Sequence, residues 1–192
     1  MAKRAKLFRP DDAKLRELIL LISSLSEGDP TFGAVKLNKL LFHCDFSAYL
    51  TYGRPITGQE YFALKQGPAP RRLLPITKSM QARQELAYQQ TEYYGRIQQR
   101  PIALRKPNLQ LFTAQEVALV DSIILKWRGK NATEISDRSH LFIGWKVVRE
   151  RETIPYSTAL IGRRKPTVEE KERGAALEDR AVEILRRGRA IS

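Results

Sequence analysis

Cysteine, histidine and long apolar runs are scarce in this sequence. One cysteine, Cys44, and two histidines, His43 and His140, occur in 192 residues. A lone thiol excludes an internal disulfide, and with only two imidazoles it makes no Cys/His zinc site of the usual spacing without carboxylate help. No metal or cofactor is expected, and the reducing cytoplasm is the natural compartment. The longest apolar run, Leu18 to Ile22, is far below the ~20 residues of a transmembrane helix, so no membrane span is expected. The first ten residues, MAKRAKLFRP, are basic but lead into a charged amphipathic segment instead of a signal-peptide apolar stretch, which argues against secretion. Phosphate-loop, dinucleotide and zinc-protease motifs are missing, as is a clustered acid pair for a metal. An enzyme is therefore not the leading reading.

Positive charge is plentiful. Lys and Arg number 34 against 21 Asp and Glu, a net charge of +13. Residues 54–112 carry ten of the bases against three acids, while residues 17–53 carry two against four. Arg71, Arg72, Arg96, Arg100, Arg105 and Lys106 are interleaved with Tyr93 and Tyr94, a pattern that suits either a phosphate backbone or an acidic protein. An ordinary solvated face produces the same composition. With 42% hydrophobic residues, the chain is long enough to bury a sizeable core in a single domain.

Periodicity and caps divide the chain. Asp11 and Asp12 precede a helix with one apolar stripe at Leu15, Leu18, Ile19, Ile22 and Leu25, ending near Gly28. A second helix is expected over residues 31–52, stopped by Gly53 and Pro55. At 100° per residue it shows Leu37, Leu40, Leu41, Cys44 and Ala48 on one face and Val35, Phe42, Phe46, Tyr49 and Leu50 on the other, which makes it central to the fold. Tyr61 to Lys65 favour a short strand that Gly67, Pro68 and Pro70 close. A third helix is expected over residues 71–87, interrupted or restarted by Pro75. A hairpin is expected between Thr91 and Lys106, turning at Gln99, Arg100 and Pro101.

Thr113 with Glu116, Asn131 with Glu134 and Thr167 with Glu170 are capping boxes for three further helices, and a short helix is expected from Trp145 to Glu150. The last of the capped helices carries a narrow stripe at Leu177, Ala181, Ile184 and Leu185. The fold class is α+β, mostly helical, with a small antiparallel sheet. Residues 1–10 read as a flexible basic N-terminus, 11–162 as the domain and 163–192 as a helical extension, with IGRRKP as the linker.

The nucleophile candidates diverge. His43, Cys44 and Asp45 are consecutive, so on a helix they point 100° apart, and Cys44 lies in an apolar stripe. Asp45 falls on a narrow polar edge near Asn38, where a carboxylate must be paired, the ordinary partner being a neighbouring turn or an Arg. Ser139 and His140 lack a nucleophile elbow; Ser139 reads as a helix cap, and His140 with Trp145 as core closure or the lining of a shallow pocket. No catalytic residue is assigned.

The run KLNKLLFHCDFSAYLTYGRPITGQEYFALKQGPAP resembles the opening of the Panacea domain, the SocA-like antitoxin family that includes phage-associated members. The matching positions are Lys36, Leu37, Lys39, Leu40, Leu41 and Asp45, then Tyr52, Gly53, Ile56 and Gly58, then Ala63, Leu64, Gly67, Pro68 and Pro70. A second block supplies Ser139, His140, Trp145, Ile154, Pro155 and Tyr156, and the resemblance covers about residues 10–160. His43 and Cys44 stand where the family commonly has an aromatic or Ala pair. Pro75 and the basic insertion from Arg83 to Lys106 are less typical of it.

The resemblance implies an α+β antitoxin that binds a cognate protein toxin directly, encoded by an adjacent gene, without catalysis. Lys36, Lys39, Asp45, Tyr61, Lys65, Gly67, Pro68, Pro70, His140 and Trp145 are then the candidate motif and partner-binding residues. The alternative is a nucleic-acid-binding regulator of such an operon, using the basic residues from Arg71 to Lys106 on operator DNA. A hydrolase built on Asp45, His140 or Cys44 is the third class. Oligomeric state stays open.

Overall fold

Asp11 starts the first helix: its carboxylate accepts the Lys14 N–H at 2.8 Å, capping α1 (Asp12–Leu25). The structure, a computed structural model, describes residues 8–93 and 95–161, with Arg96 by its backbone alone. Expectations for residues 1–7, for Tyr94 and for the extension from 163 onward, including its Thr167 cap and its stripe at Leu177, Ala181, Ile184 and Leu185, lie outside the described residues. The described residues fall within one compact unit that ends at Ile161. The fold class is the expected one, mostly helical α+β with two small antiparallel sheets. No helix among the described residues is long and apolar enough to cross a membrane.

α1 is buried more completely than a single stripe. Leu20 and Leu21 are inside along with Leu15, Leu18, Ile19 and Ile22, while Leu25 at the helix end is exposed. The helix is sandwiched, so side chains that periodicity alone would point outward meet neighbours instead. α2 (Ala34–Tyr52) ends at Gly53, whose φ of 70° is the left-handed conformation that closes a helix at low cost. Its two faces divide the interior. Leu37, Leu40, Leu41, Cys44 and Ala48 join the large cluster with α1, Ile76 and Met80 of α3 (Leu73–Ala82) and Val120, Ile124 and Trp127 of α4 (Ala114–Trp127). Phe42 and Phe46 join a second, aromatic cluster with Tyr61 and Ile154, against which Tyr49 and Leu50 pack. Val35 joins neither.

Gly67, Pro68 and Pro70 do not end a strand; they form one. β1 (Tyr61–Leu64) pairs antiparallel with β2 (Gly67–Pro70), Ala63 opposite Pro68 and Tyr61 opposite Pro70. Ala63 N–H donates outward to the Glu152 carbonyl and Ile154 N–H donates to the Tyr61 carbonyl, so these two positions face away from β2. Both prolines therefore occupy non-hydrogen-bonded positions, where a missing N–H removes no ladder bond. α3 starts and stops inside the expected span, since Pro75 falls in its first turn, where an N–H has no intrahelical acceptor. Ala87 belongs instead to β3 (Leu86–Tyr93), which pairs with β4 (Arg96–Ala103).

That hairpin turns between its last pair, Tyr93 and Arg96, not at Gln99 to Pro101. Gly95 has φ 70°, as a two-residue connection requires. Pro101 sits inside β4 opposite Tyr88, again in a non-hydrogen-bonded pair given the Leu104 N–H bond to the Glu85 carbonyl. Both expected capping boxes in the described residues form, Thr113 with Glu116 on α4 and Asn131 with Glu134 on α5 (Ala132–His140). The following short helix is α6 (Ile143–Lys146), earlier than expected. Ser139 is not a cap but a buried residue within α5, its hydroxyl donating to the Ser136 carbonyl at 2.7 Å.

Candidate functional site

Along the polar edge of α2 the motif residues make three buried junctions. At the first, Asp45 is fully buried and receives the Thr57 N–H at 2.6 Å, the Thr57 hydroxyl and the Tyr61 hydroxyl at 2.8 Å. Burial pushes its pKa up, opposed by these donors. The partner is thus a neighbouring turn, not an Arg. Tyr61 is pushed well up by burial and then by the Asp45 charge. Next along the chain, the Tyr156 hydroxyl donates to the Gln59 carbonyl at 2.7 Å, and its ring lies 4.7 Å from Phe46.

At the second junction the Lys36 ammonium, 1% exposed, donates to Asp29 at 2.6 Å, to Thr31 at 2.6 Å and to the Lys130 carbonyl at 2.7 Å. Burial works against the Asp29 carboxylate, but the bonds from Lys36 and Thr31 outweigh it and hold its pKa below the ordinary value. One ammonium thereby ties the 29–31 turn, the start of α2 and the loop before α5 together.

The third junction joins α2, the β1–β2 turn and α5. Lys39, also 1% exposed, donates to the Gln66 carbonyl. Beside it Gly67 has φ 98°, and a Cβ there would lie 2.5 Å from Lys39 Nζ and 2.7 Å from Ser139 Oγ. His140 stacks on Trp145 with ring centroids 4.4 Å apart, and Trp145 Nε1 donates to the Leu64 carbonyl at 2.9 Å. Trp145 also borders a groove of about 490 Å³ with Leu64, Lys65, Lys146 and Val148. Of the ten candidate partner-binding residues Lys65 is the exposed one, whereas Pro68 and Pro70 are buried in β2.

Burial without a carboxylate pulls Lys39 down from 10.5 to about 8. A cation with a depressed folded pKa leaves the unfolded chain holding more protons between those values, so stability rises with pH there. We expect wild type to gain roughly 3 kcal/mol relative to Lys39→Met between pH 8 and 10.5, measured by urea unfolding at each pH. A flat difference across that window contradicts the buried, unpaired ammonium.

The nucleophile candidates do not assemble. Cys44 lies in the large cluster with its pKa raised by burial. His43 turns instead to Trp127, ring centroids 5.0 Å apart, and burial with nearby Lys126, Lys39 and Arg138 holds it down to about 3. Asp45 faces the Thr57 turn. The three consecutive residues therefore enter three separate environments, as helical geometry requires. Among the described residues no group of three or more His, Cys, Asp or Glu could hold a metal.

Four of the six basic candidates have protein partners. Arg71 reaches Glu60 at 3.4 Å, the Arg151 carbonyl and Thr153; Arg72 reaches Asp12 at 2.5 Å. Arg100 donates to the carbonyls of Ser26, Glu27 and Asp29. Arg105 chelates Glu17 at 2.6 and 2.8 Å, which lowers the pKa of that carboxyl despite its burial. The Arg96 side chain lies outside the description, and Lys106 offers its carbonyl to Arg105. Thr57, Asp29, Thr31 and Glu17 are the residues that sequence reasoning missed. The available signal was electrostatic: a Lys and an Asp placed between two apolar helix faces each require a partner from a nearby turn.

These junctions define a class: an α+β domain built round one two-faced helix, whose signature polar residues are interior ties between helix, turn and hairpin. Residues 37–146, more than half of the chain, match the family described as Antitoxin SocA-like, Panacea domain. The chain belongs to that family. No curated protein and no solved structure matches.

Proposed function

We propose that this protein is the antitoxin of a bacterial toxin–antitoxin pair, neutralising a cognate protein toxin by direct binding in the cytoplasm, without catalysis. Membership of the SocA-like antitoxin family carries the reading. The motif residues support it in a particular way. Lys36, Lys39, Asp45, Tyr61 and Gly67 are inside and tie the scaffold, so a partner contacts surface residues that the scaffold holds in place. On this reading the partner touches Trp145 and Lys65, which border a groove beside the third junction. Coexpression with the product of the adjacent gene is expected to restore growth that the product alone arrests, and to yield a copurifying complex. No rescue together with no complex overturns the assignment.

Operator DNA is a weaker reading for these residues, because Arg71, Arg72, Arg100 and Arg105 are engaged within the chain. A duplex reader would shift promoter DNA with an affinity falling steeply as salt rises.

A further inference from the structure

Among the described residues, three of the four outer strand edges are closed. The edge of β1 is taken by the 151–154 segment, through the bonds of the Ala63 N–H and the Tyr61 carbonyl. That of β2 carries Pro68 and Pro70, whose ring nitrogens have no hydrogen to donate. That of β4 carries Pro101 and lies against the start of α2, where a Cβ on Gly33 would come 3.5 Å from the Gln99 carbonyl oxygen. β3 is different. The bond from the Leu104 N–H to the Glu85 carbonyl sets its parity, so Tyr88, Gln90 and Glu92 turn their N–H and C=O groups away from β4. Among the described residues none of these backbone groups has a hydrogen-bond partner, and Gln90 and Glu92 are exposed.

Natural proteins guard an open edge with a lysine, a proline or a bulge. β3 has none of these: its eight residues pair with β4 without a break, and Glu92 is their one charge, in a chain of net charge +13. Arg100, across the hairpin, is directed to the carbonyls of Ser26, Glu27 and Asp29. Repulsion between two copies of so basic a chain is least along such a strand. The strand is also its own complement. Set antiparallel about a two-fold axis at Gln90, Tyr88 of one copy lies opposite Glu92 of the other, and Gln90 lies opposite itself. That register pairs every outward N–H and C=O of the three positions and sets no like charges face to face.

We propose that β3 is the edge through which two copies of this chain associate, a two-fold antiparallel pair that joins two hairpins into one four-stranded sheet. The inference stands independently of the antitoxin reading. A single strand pair buries less than the ~1,600 Å² of a standard interface, so the dimer is weak and its population rises with concentration. The test uses the full chain, with sedimentation equilibrium over a wide concentration range. The variants are Gln90→Pro, Gln90→Thr, Gln90→Lys and Gln90→Glu. Gln90→Pro removes an N–H that β4 does not use, at the kind of position Pro101 already occupies, and thermal melts check that the variant folds.

Wild type and Gln90→Thr are expected to dimerise with affinities within about threefold of each other, since both keep the backbone N–H. Gln90→Pro is expected to weaken the dimer roughly tenfold or more, because each copy loses its central bond. Gln90→Lys and Gln90→Glu are each expected to weaken it several-fold, by setting like charges opposite each other, and their mixture to recover a one-to-one heterodimer. A wild type that stays monomeric throughout the concentration range overturns the proposal. So does a dimer that Gln90→Pro and both charged variants leave unchanged, which would place the interface elsewhere. Charged variants whose mixture recovers nothing overturn the pairing about Gln90. If wild type is monomeric while Gln90→Pro weakens binding of the protein encoded by the neighbouring open reading frame, the edge takes a foreign strand and the second copy is overturned as its occupant.

Discussion

Asp45→Ala is expected to lower the unfolding free energy by roughly 3–5 kcal/mol, through the donors it strands. The carboxylate accepts the Thr57 N–H, the Thr57 hydroxyl and the Tyr61 hydroxyl at a position with no exposure. Burial raises the Asp45 pKa, so ionising this carboxyl inside costs free energy. Deletion is nevertheless worse, because it leaves the Thr57 and Tyr61 donors buried without an acceptor, each worth about 1–3 kcal/mol. Asp45→Asn keeps one acceptor oxygen, and the two hydroxyls can rotate, so it is expected to cost about half as much. Urea unfolding followed by far-UV circular dichroism measures both. A double-mutant cycle with Tyr61→Phe should return a coupling of about 0.5–3 kcal/mol. Additive losses in that cycle would show that Tyr61 and Asp45 do not work as a pair.

Gly67→Ala is expected to be similarly damaging for a different reason, and Gly53→Ala separates its causes. Both glycines have positive φ, 98° and 70°. A Cβ on Gly53 meets nothing within 4 Å, so that variant reports backbone strain alone, about 1 kcal/mol. At Gly67 the Cβ would lie 2.5 Å from the Lys39 ammonium and 2.7 Å from the Ser139 hydroxyl. Lys39 is buried and held by the Gln66 carbonyl, and Ser139 is buried and held by Ser136, so neither is a free chain end that swings aside. The expected loss is roughly 3–4 kcal/mol, from overpacking added to strain. Equal losses at the two glycines, by thermal and urea unfolding, would falsify the close packing of the β1–β2 turn against α2 and α5.

These two residues also show where a sequence reading succeeds and where it stops. The matched spacing around Asp45 and Gly67 was visible along the chain, as was the requirement that Asp45 have a partner. That the partner is Thr57 and Tyr61 was not, because the turn and strand that supply them are placed by packing against the aromatic face of α2. Ser139 looked like a cap since Ser is common there, yet it lies late in α5 with its hydroxyl bonded back within the helix. β2 was hidden by its own prolines. Proline signals a stop unless the pairing parity is known, and parity depends on which edge of β1 the 151–154 segment occupies. The hairpin turn was misplaced for the same reason: Gln99 to Pro101 look like a turn by composition, but the connection follows Gly95 and the register it sets.

The positive charge changes meaning in the same way. Composition located the surplus in residues 54–112 and invited a phosphate-tracking row. The fold directs Arg71, Arg72, Arg100 and Arg105 to carboxylates and to backbone carbonyls elsewhere in the chain, some of them more than seventy residues away. What the sequence by itself determined was local: the two faces of α2, the capping boxes of α4 and α5, the scarcity of metal-binding side chains and the motif order that marks the family. Those follow from periodicity and from hydrogen bonds spanning three or four residues. Only the tertiary structure decided which polar residues became ties and which stayed at the surface, because the choice depends on acceptors and donors brought together from distant segments. Lys36 and Lys39 illustrate it, three residues apart on one helix edge, one satisfied by a carboxylate and the other by a single carbonyl beside a glycine.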